Sequence, residues 1–183
     1  MHGVGVSCVN ALSEQLDLFI HSKGKIFQQQ YERGKPVYPL KEIGLSDRTG
    51  TTITFKPDPE IFSETVFNFD TLSSRLREMT FLNKGLKIVI TDERTFQKHE
   101  FLYECGIISF IQHLNKNKSV LHDPPIYFTA EQNNIVLETV LQWNDSYVEN
   151  IFTYANNINT SEGGTHFIGF KAALTSTINN YGE

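Results

Sequence analysis

The chain is short of cysteine, short of basic charge and short of long apolar runs, and each shortage removes a class of function. Only two cysteines, Cys8 and Cys105, occur in 183 residues. They have neither metal-ligand spacing nor a disulfide framework. They read as buried reduced thiols, which suits a cytoplasmic protein. Lysine and arginine number 16 against 21 aspartates and glutamates, a formal net charge of −5. A surface that grips duplex DNA by its phosphates carries a basic excess, so the chain as a whole is a poor main DNA-binding surface. A local patch stays open: Arg75, Arg77, Lys84, Lys116 and Lys118 are either solvated charge or the lining of a DNA-facing cavity. No apolar run approaches the length of a membrane span, so no membrane partner is expected. No basic-then-apolar leader opens the chain. Asn144-Asp145-Ser146 and Asn159-Thr160-Ser161 match the glycosylation pattern and read as coincidences in that setting. No internal repeat is visible.

What the chain does have is enough apolar material for a packed core, 39% with 14 phenylalanines, in one large domain or two small ones. A short helix is expected near Ser7–Ser13. A hairpin of Leu16–Ile20 and Ile26–Tyr31 follows, turning at Ser22-Lys23-Gly24-Lys25. Val37–Leu40 reads as a short edge strand, since Pro36 and Pro39 limit its pairing. In Thr49–Pro57 Ile53 and Phe55 alternate with Thr52 and Thr54, the period of a strand. The pattern changes after Pro57-Asp58-Pro59, which sets a boundary between residues 1–57 and 58–183. Beyond it, Thr71–Asn83 reads as a helix with Leu72, Leu76, Met79 and Asn83 on one stripe. Leu86–Thr91 and Thr95–Tyr103 form a hairpin around Asp92-Glu93-Arg94. A helix runs from Ile107 to Leu114, and strands begin at Ile126 and span Ile135–Trp143 and Asn150–Ala155. A final helix is N-capped by Thr165. Strands and helices intermix without a strict alternating rhythm, which gives an α+β class.

The stretch that carries chemistry is His2-Gly3-Val4-Gly5-Val6-Ser7. Glycine lets the backbone approach a ligand closely, and N–H groups at a helix N-terminus favour an anion. A Gly-x-Gly loop feeding a helix is therefore either a phosphate cradle or a tight turn between packed elements. It is not a dinucleotide fingerprint, whose third glycine position holds Cys8. Nor is it a Walker A loop, because no lysine precedes Lys23.

The longer string from His2 to Ser13 resembles the ATP-lid motif of the ATPase subunits of bacterial type II DNA topoisomerases. Leu141-Gln142-Trp143-Asn144-Asp145, Asn156-Asn157-Ile158, Glu162-Gly163-Gly164-Thr165-His166 and Gly169-Phe170-Lys171-Ala172-Ala173-Leu174-Thr175 are similar to later motifs of the same family, in the same order. The Glu-Gly-Gly-Thr-His and Gly-Phe-Lys wording is nearer the gyrase B branch than the topoisomerase IV branch, and neither string is that of a MutL-like repair ATPase. The resemblance covers essentially the whole chain.

The resemblance implies the C-terminal part of a GHKL-type ATPase α/β sandwich in residues 1–57 and a transducer domain, incomplete at its C-terminus, in 58–183. It implies ATP as ligand, with backbone N–H groups of His2, Gly3, Val4 and Gly5 on the phosphates and Val6, Thr51 and Ile53 in the nucleotide pocket. It also implies Mg2+, a gyrase A-type partner, duplex DNA and ATP-dependent dimerisation of the whole ATPase region. Ser22 departs from the family, which often has an arginine at the pocket lip, and serine supplies no planar cation. The family's catalytic glutamate, magnesium-binding asparagine and Gln-Thr-Lys lysine match no position here. No general base and no metal ligand is assigned, and the fragment alone is expected not to turn over ATP. The rival reading is a non-catalytic transducer-like binding or structural module. Glu14, Asp17, Glu42 and Asp47 read as surface charge, and Trp143 as a core or interface residue.

Overall fold

The computed structural model describes residues 3–160 and 162–182. The chain divides into two compact units, Met1–Phe67 and Asn68–Glu183.

In the first unit α1 (Gly5–Ala11) precedes β1 (Ser13–Ser22), β2 (Lys25–Glu32), β3 (Lys35–Pro36), β4 (Lys41–Leu45) and β5 (Gly50–Pro57). All pairings are antiparallel; β2 and β5 flank β1, and β3 and β4 pair with β2. The β1–β2 turn forms because Lys23 and Gly24 both take positive φ, 52° and 77°, which matches the strands' twist in a two-residue loop. Opposed residues share a face. Tyr31, Leu16 and Phe55 form one row across the sheet, Gln29, Leu18 and Ile53 the next, and Phe27, Ile20 and Thr51 the third. This is the apolar face, and α1 lies against it.

The expected Val37–Leu40 strand does not form. The strand ends at Pro36, the Val37 N–H makes one further bond to the Gln30 carbonyl at 2.9 Å, and the next strand begins at Lys41. Proline has no N–H to give a ladder, and the Gln29 amide donates to the Tyr38 carbonyl at 2.6 Å. Residues 58–67 stay with the first unit. The Asp58 N–H donates to the Leu12 carbonyl at 3.1 Å, and the Phe55 and Phe67 rings meet edge-on at 6.0 Å.

The second unit contains α2 (Phe69–Leu82), β6 (Lys87–Asp92), β7 (Gln97–Leu102), α3 (Ile107–Leu114), β8 (Ile126–Gln132), β9 (Ile135–Leu141), β10 (Tyr154–Ala155), β11 (Ile158–Asn159) and α4 (Thr165–Gly182). Helix α2 starts earlier than its pattern implies because the Asn68 side chain accepts the Thr71 N–H at 2.8 Å. Its buried face is Phe69, Ser73, Thr80 and Phe81, not the expected leucine stripe, and Leu72 and Met79 are exposed. The aromatics decide the rotation. Phe81 stacks on Tyr103 at 3.9 Å and packs on Phe110 at 5.1 Å, while Phe69 meets His99 at 5.0 Å.

The expected Asn150–Ala155 strand shrinks to Tyr154–Ala155. Asn156 and Asn157 turn the chain at once with φ of 50° and 64°. The Thr153 and Thr160 hydroxyls donate to each other's carbonyls at 3.1 and 3.0 Å across the base of that hairpin. The cysteines also correct an expectation, since both are free and exposed. Cys8 lies off the α1 side that faces β1, and Cys105 sits in the loop before α3. Among the described residues no helix is long and apolar enough to cross a membrane. The mixture of helices and antiparallel sheets is the α+β class.

Candidate nucleotide site

The site is built where the first loop meets α1. Gly3 has φ of +81°, a left-handed conformation that favours glycine. Val4 is the N-cap, with φ −95° and ψ −10° and no side-chain cap bond. The first intrahelical bond runs from the Cys8 N–H to the Val4 carbonyl at 2.9 Å. The N–H groups of the first turn therefore have no helical acceptor and point outward. A Cβ built on Gly3 or Gly5 meets no atom within 4 Å, so the backbone is open to a ligand at both positions. His2 lies outside the described residues.

The pocket residues share the apolar sheet face. Val6, Ser7 and Asn10 of α1 enclose a cleft of about 160 Å³ with Leu16, Leu18 and Tyr31. Leu18 is opposite Ile53, and Ile20 is opposite Thr51. Val6 is 59% and Ile53 38% exposed, and neither Thr51 nor Ile53 lines the cleft itself. Ser22 falls on the same face by alternation. Arg48 does not supply a cation on that face. It turns toward His21 on the reverse face, with 3.5 Å between Nη2 and Nε2, and His21 Nδ1 is 2.9 Å from the Ser46 hydroxyl.

Asn10 was not singled out by sequence reasoning. Its Oδ1 is buried without a partner, an expensive condition for an acceptor, and the asparagine inside the lid string was its signal. The carboxylates are engaged elsewhere. Glu14 pairs with Lys56 at 2.7 Å, Glu42 with Lys25 at 2.7 Å, and Asp17 accepts from Gln15 at 2.7 Å. Among the described residues no cluster of histidine, cysteine, aspartate and glutamate could hold a metal ion. The loop offers an anion backbone N–H donors rather than side-chain charge.

The later motifs are structural knots in the second unit. Asn115, 8% exposed, donates to Gln142 at 2.9 Å and accepts from Asn144 at 2.8 Å. Gln142 donates to the His122 carbonyl at 3.0 Å, and His122 Nε2 accepts the Trp143 N–H at 3.2 Å. The string Leu141–Asp145 thus joins the end of α3, the end of β9 and the loop at 119–124. Trp143 itself is 44% exposed and packs on His122. In the first turn of α4, His166 Nε2 lies 3.2 Å from the Thr160 hydroxyl. Of the basic residues, Arg75 and Arg77 line one cavity of about 270 Å³ beside Phe81 and Phe110, where Arg75 pairs with Glu78 at 3.1 Å and Arg77 lies over the Phe101 ring.

Comparison with known proteins bears on this geometry. The DNA gyrase B family model matches residues 106–183. DNA gyrase B of Myxococcus xanthus is 52% identical over 183 residues, all of this chain and 22% of the relative. That of Bacillus cereus is 54% identical over all of this chain and 46% of the relative. Among solved structures, the 43K ATPase domain of Thermus thermophilus gyrase B in complex with an aminocoumarin superposes with a TM-score of 0.86 at 37% identity, covering 98% of this chain and 50% of that one. The chain therefore spans half or less of the length of these relatives. The class is the fold of the gyrase B 43K ATPase domain, of which this chain matches about half. Within it, the chain belongs to the DNA gyrase B family.

Proposed function

We propose that the loop Gly3-Val4-Gly5 cradles the phosphates of ATP, with Val6, Thr51 and Ile53 walling the nucleotide and His2 adding a backbone donor. The observation that carries this reading is an open glycine loop at φ +81° that runs into α1 on the same sheet face as Thr51 and Ile53. The first unit, which runs to Phe67 rather than to Pro57, acts as part of a GHKL-type ATPase domain and the second as a transducer. In the whole enzyme they couple ATP binding to DNA strand passage, with a gyrase A-type protein, duplex DNA and a second ATPase region as partners in the cytoplasm.

The chain's own residues bind and orient; they do not hydrolyse. The loop's N–H groups offset phosphate charge without a basic side chain. The cleft beside it is lined by Val6, Ser7, Asn10, Leu16, Leu18 and Tyr31, none of which is a general base for water. Mg2+, when bound, would neutralise phosphate charge; no step through it is assigned to these residues.

The test is a titration of the 15N-labelled chain with the non-hydrolysable analogue AMPPNP. Amide shifts are expected at Gly3, Gly5, Val6 and Thr51. Gly5→Asp should remove them and leave the other resonances in place, because an aspartate in the first helical turn suits the helix dipole but repels phosphate. Shifts confined to the second unit, or ATP turnover by the chain that Gly5→Asp abolishes, would overturn the reading.

A further inference from the structure

The C-terminal end of α1 is tied into a knot around one buried carboxylate. Asp58 is 2% exposed, although it follows a strand end and precedes a proline. Its carboxylate accepts from Arg33 Nε at 2.7 Å, from Arg33 Nη2 at 3.4 Å and from the Glu60 N–H at 2.9 Å. The Glu60 N–H and then the Arg33 guanidinium hold its carboxyl below the usual carboxylate range, against the opposing effect of burial. Its own N–H donates to the Leu12 carbonyl at 3.1 Å, and its carbonyl accepts from Ile61 and Phe62, both at 3.0 Å. Arg33 is fixed from the other side. Its N–H donates to the carbonyls of Ser13 and Glu14 at 3.1 and 3.3 Å, and Arg33 Nη2 reaches Glu60 at 2.6 Å. Gly34 completes the contact: a Cβ there would lie 3.2 Å from the Ala11 Cα.

Four pieces of chain therefore meet at Asp58: the last turn of α1, the start of β1, the β2–β3 turn and the segment 58–62 that follows β5. Burial of a carboxylate is expensive unless it is paired and hydrogen-bonded, so the arrangement is stable only when all its members are in place. We infer that Asp58 is a positioning residue that makes α1 and the segment 58–62 move as one body, so that what happens at the Gly3–Gly5 loop is felt in the segment that follows β5. The link to nucleotide rests on the phosphate reading of that loop; the link between α1 and 58–62 does not. By linkage, whatever nucleotide does to the 58–62 turn, loosening that turn does in reverse to nucleotide affinity.

Backbone amide exchange on the full chain tests this, in the parent protein, Asp58→Asn and Arg33→Gln. In both variants the amides of Cys8, Leu12, Ile61 and Phe62 should exchange at least about tenfold faster, while the paired amides of Leu18 and Gln29 stay within about twofold. A merely structural role would raise exchange throughout β1, β2 and β5, and that result overturns the proposal. So does loosening of 58–62 with α1 unchanged. Should Asp58→Asn fail to fold, Arg33→Gln decides alone, because it leaves the carboxylate its Glu60 bond. AMPPNP added to the parent should slow exchange at α1 and at 61–62 together. If it slows neither, the nucleotide reading of the loop fails and the variants still decide the coupling; if it slows α1 alone, the coupling fails.

Discussion

Both units combine a glycine loop with an aspartate clamped by arginine, and they use the two devices to different ends. In the first unit the glycines face open space, with nothing within 4 Å of a Cβ on Gly3 or Gly5. In the second, a Cβ on Gly164 would sit 2.7 Å from His166 Cε1 and 2.8 Å from its Nδ1. The clamps differ in reach. Arg33 and Asp58 are separated by 25 residues and join four segments, whereas Arg94 and Asp92 are two apart and close one hairpin tip. A glycine kept for a ligand and a glycine kept for a neighbour look alike in sequence. Only the surroundings distinguish them.

The largest effect that separates the two loops is expected from Gly164→Ala. The position has φ of +152°, which L side chains rarely adopt, and the new methyl displaces the imidazole from Thr160. Destabilisation of about 1–3 kcal/mol is expected in urea unfolding of the second unit. Adding His166→Ala should recover only the steric part. A neutral Gly164→Ala would mean that this loop is as open as the first. Gly3→Ala should come next. Here φ is +81° and no atom is near, so the penalty is backbone strain alone, about 1–2 kcal/mol, and no second-site substitution should relieve it.

That contrast also marks what the sequence could disclose. The hairpin of β1 and β2, the β5 alternation and the helices were legible because each rests on local chemistry: a Lys-Gly turn, a period of two, an apolar repeat every three to four residues. The lid string and the later motifs were legible as wording. Their work was not. Nothing in Leu141–Asp145 says that Asn115 will bond to two of its members, because that contact depends on how α3 returns to β9. Long-range choices misled in the same way. The leucine stripe of α2 was a sound helical pattern, but Phe69 and Phe81 found aromatic partners on β7, in the loop after it and on α3, and turned another face inward. Cys8 read as buried by residue type, yet its helix is one layer on a sheet and leaves its outer side to solvent. Residues 58–67 belong with the first unit through Asp58 and Phe67, two contacts that no local break in the pattern announces.

Acid separates the two clamps, with a smaller effect. The Arg94 side chain and then its N–H hold the Asp92 carboxyl down from 3.8 to about 2, and Asp58 is also held below 3.8. A carboxylate whose folded value is depressed contributes stability that is complete above its unfolded value and is lost as pH falls through the folded one. Both contributions should therefore fade below about pH 4. The consequences should differ in extent. Protonating Asp92 frees only the tip at 92–97, whereas protonating Asp58 frees α1 and 58–62 together. Amide spectra recorded from about pH 5 to about pH 2 would report this. Simultaneous loss of the whole second unit with the tip would remove the distinction between local and long-range clamps.

The smallest expected effect is the sharpest test of the open loop. Gly5 is the first residue of α1, it does not need a left-handed backbone, and a Cβ there touches nothing. Alanine is the better helix former by up to about 1 kcal/mol in a helix interior, and less is gained at a first position. Gly5→Ala should therefore leave stability unchanged or raise it by a few tenths of a kcal/mol. If glycine stands there for the fold, that result makes no sense. If it stands there so that phosphate can reach the backbone, the methyl fills the approach, and AMPPNP binding should weaken while the unfolding midpoint holds or rises. A Gly5→Ala protein that loses stability by more than about 1 kcal/mol would show Gly5 to be packed in the manner of Gly164. The two loops would then be the same device after all. Stability and affinity moving in opposite directions is the outcome that only an open ligand loop produces.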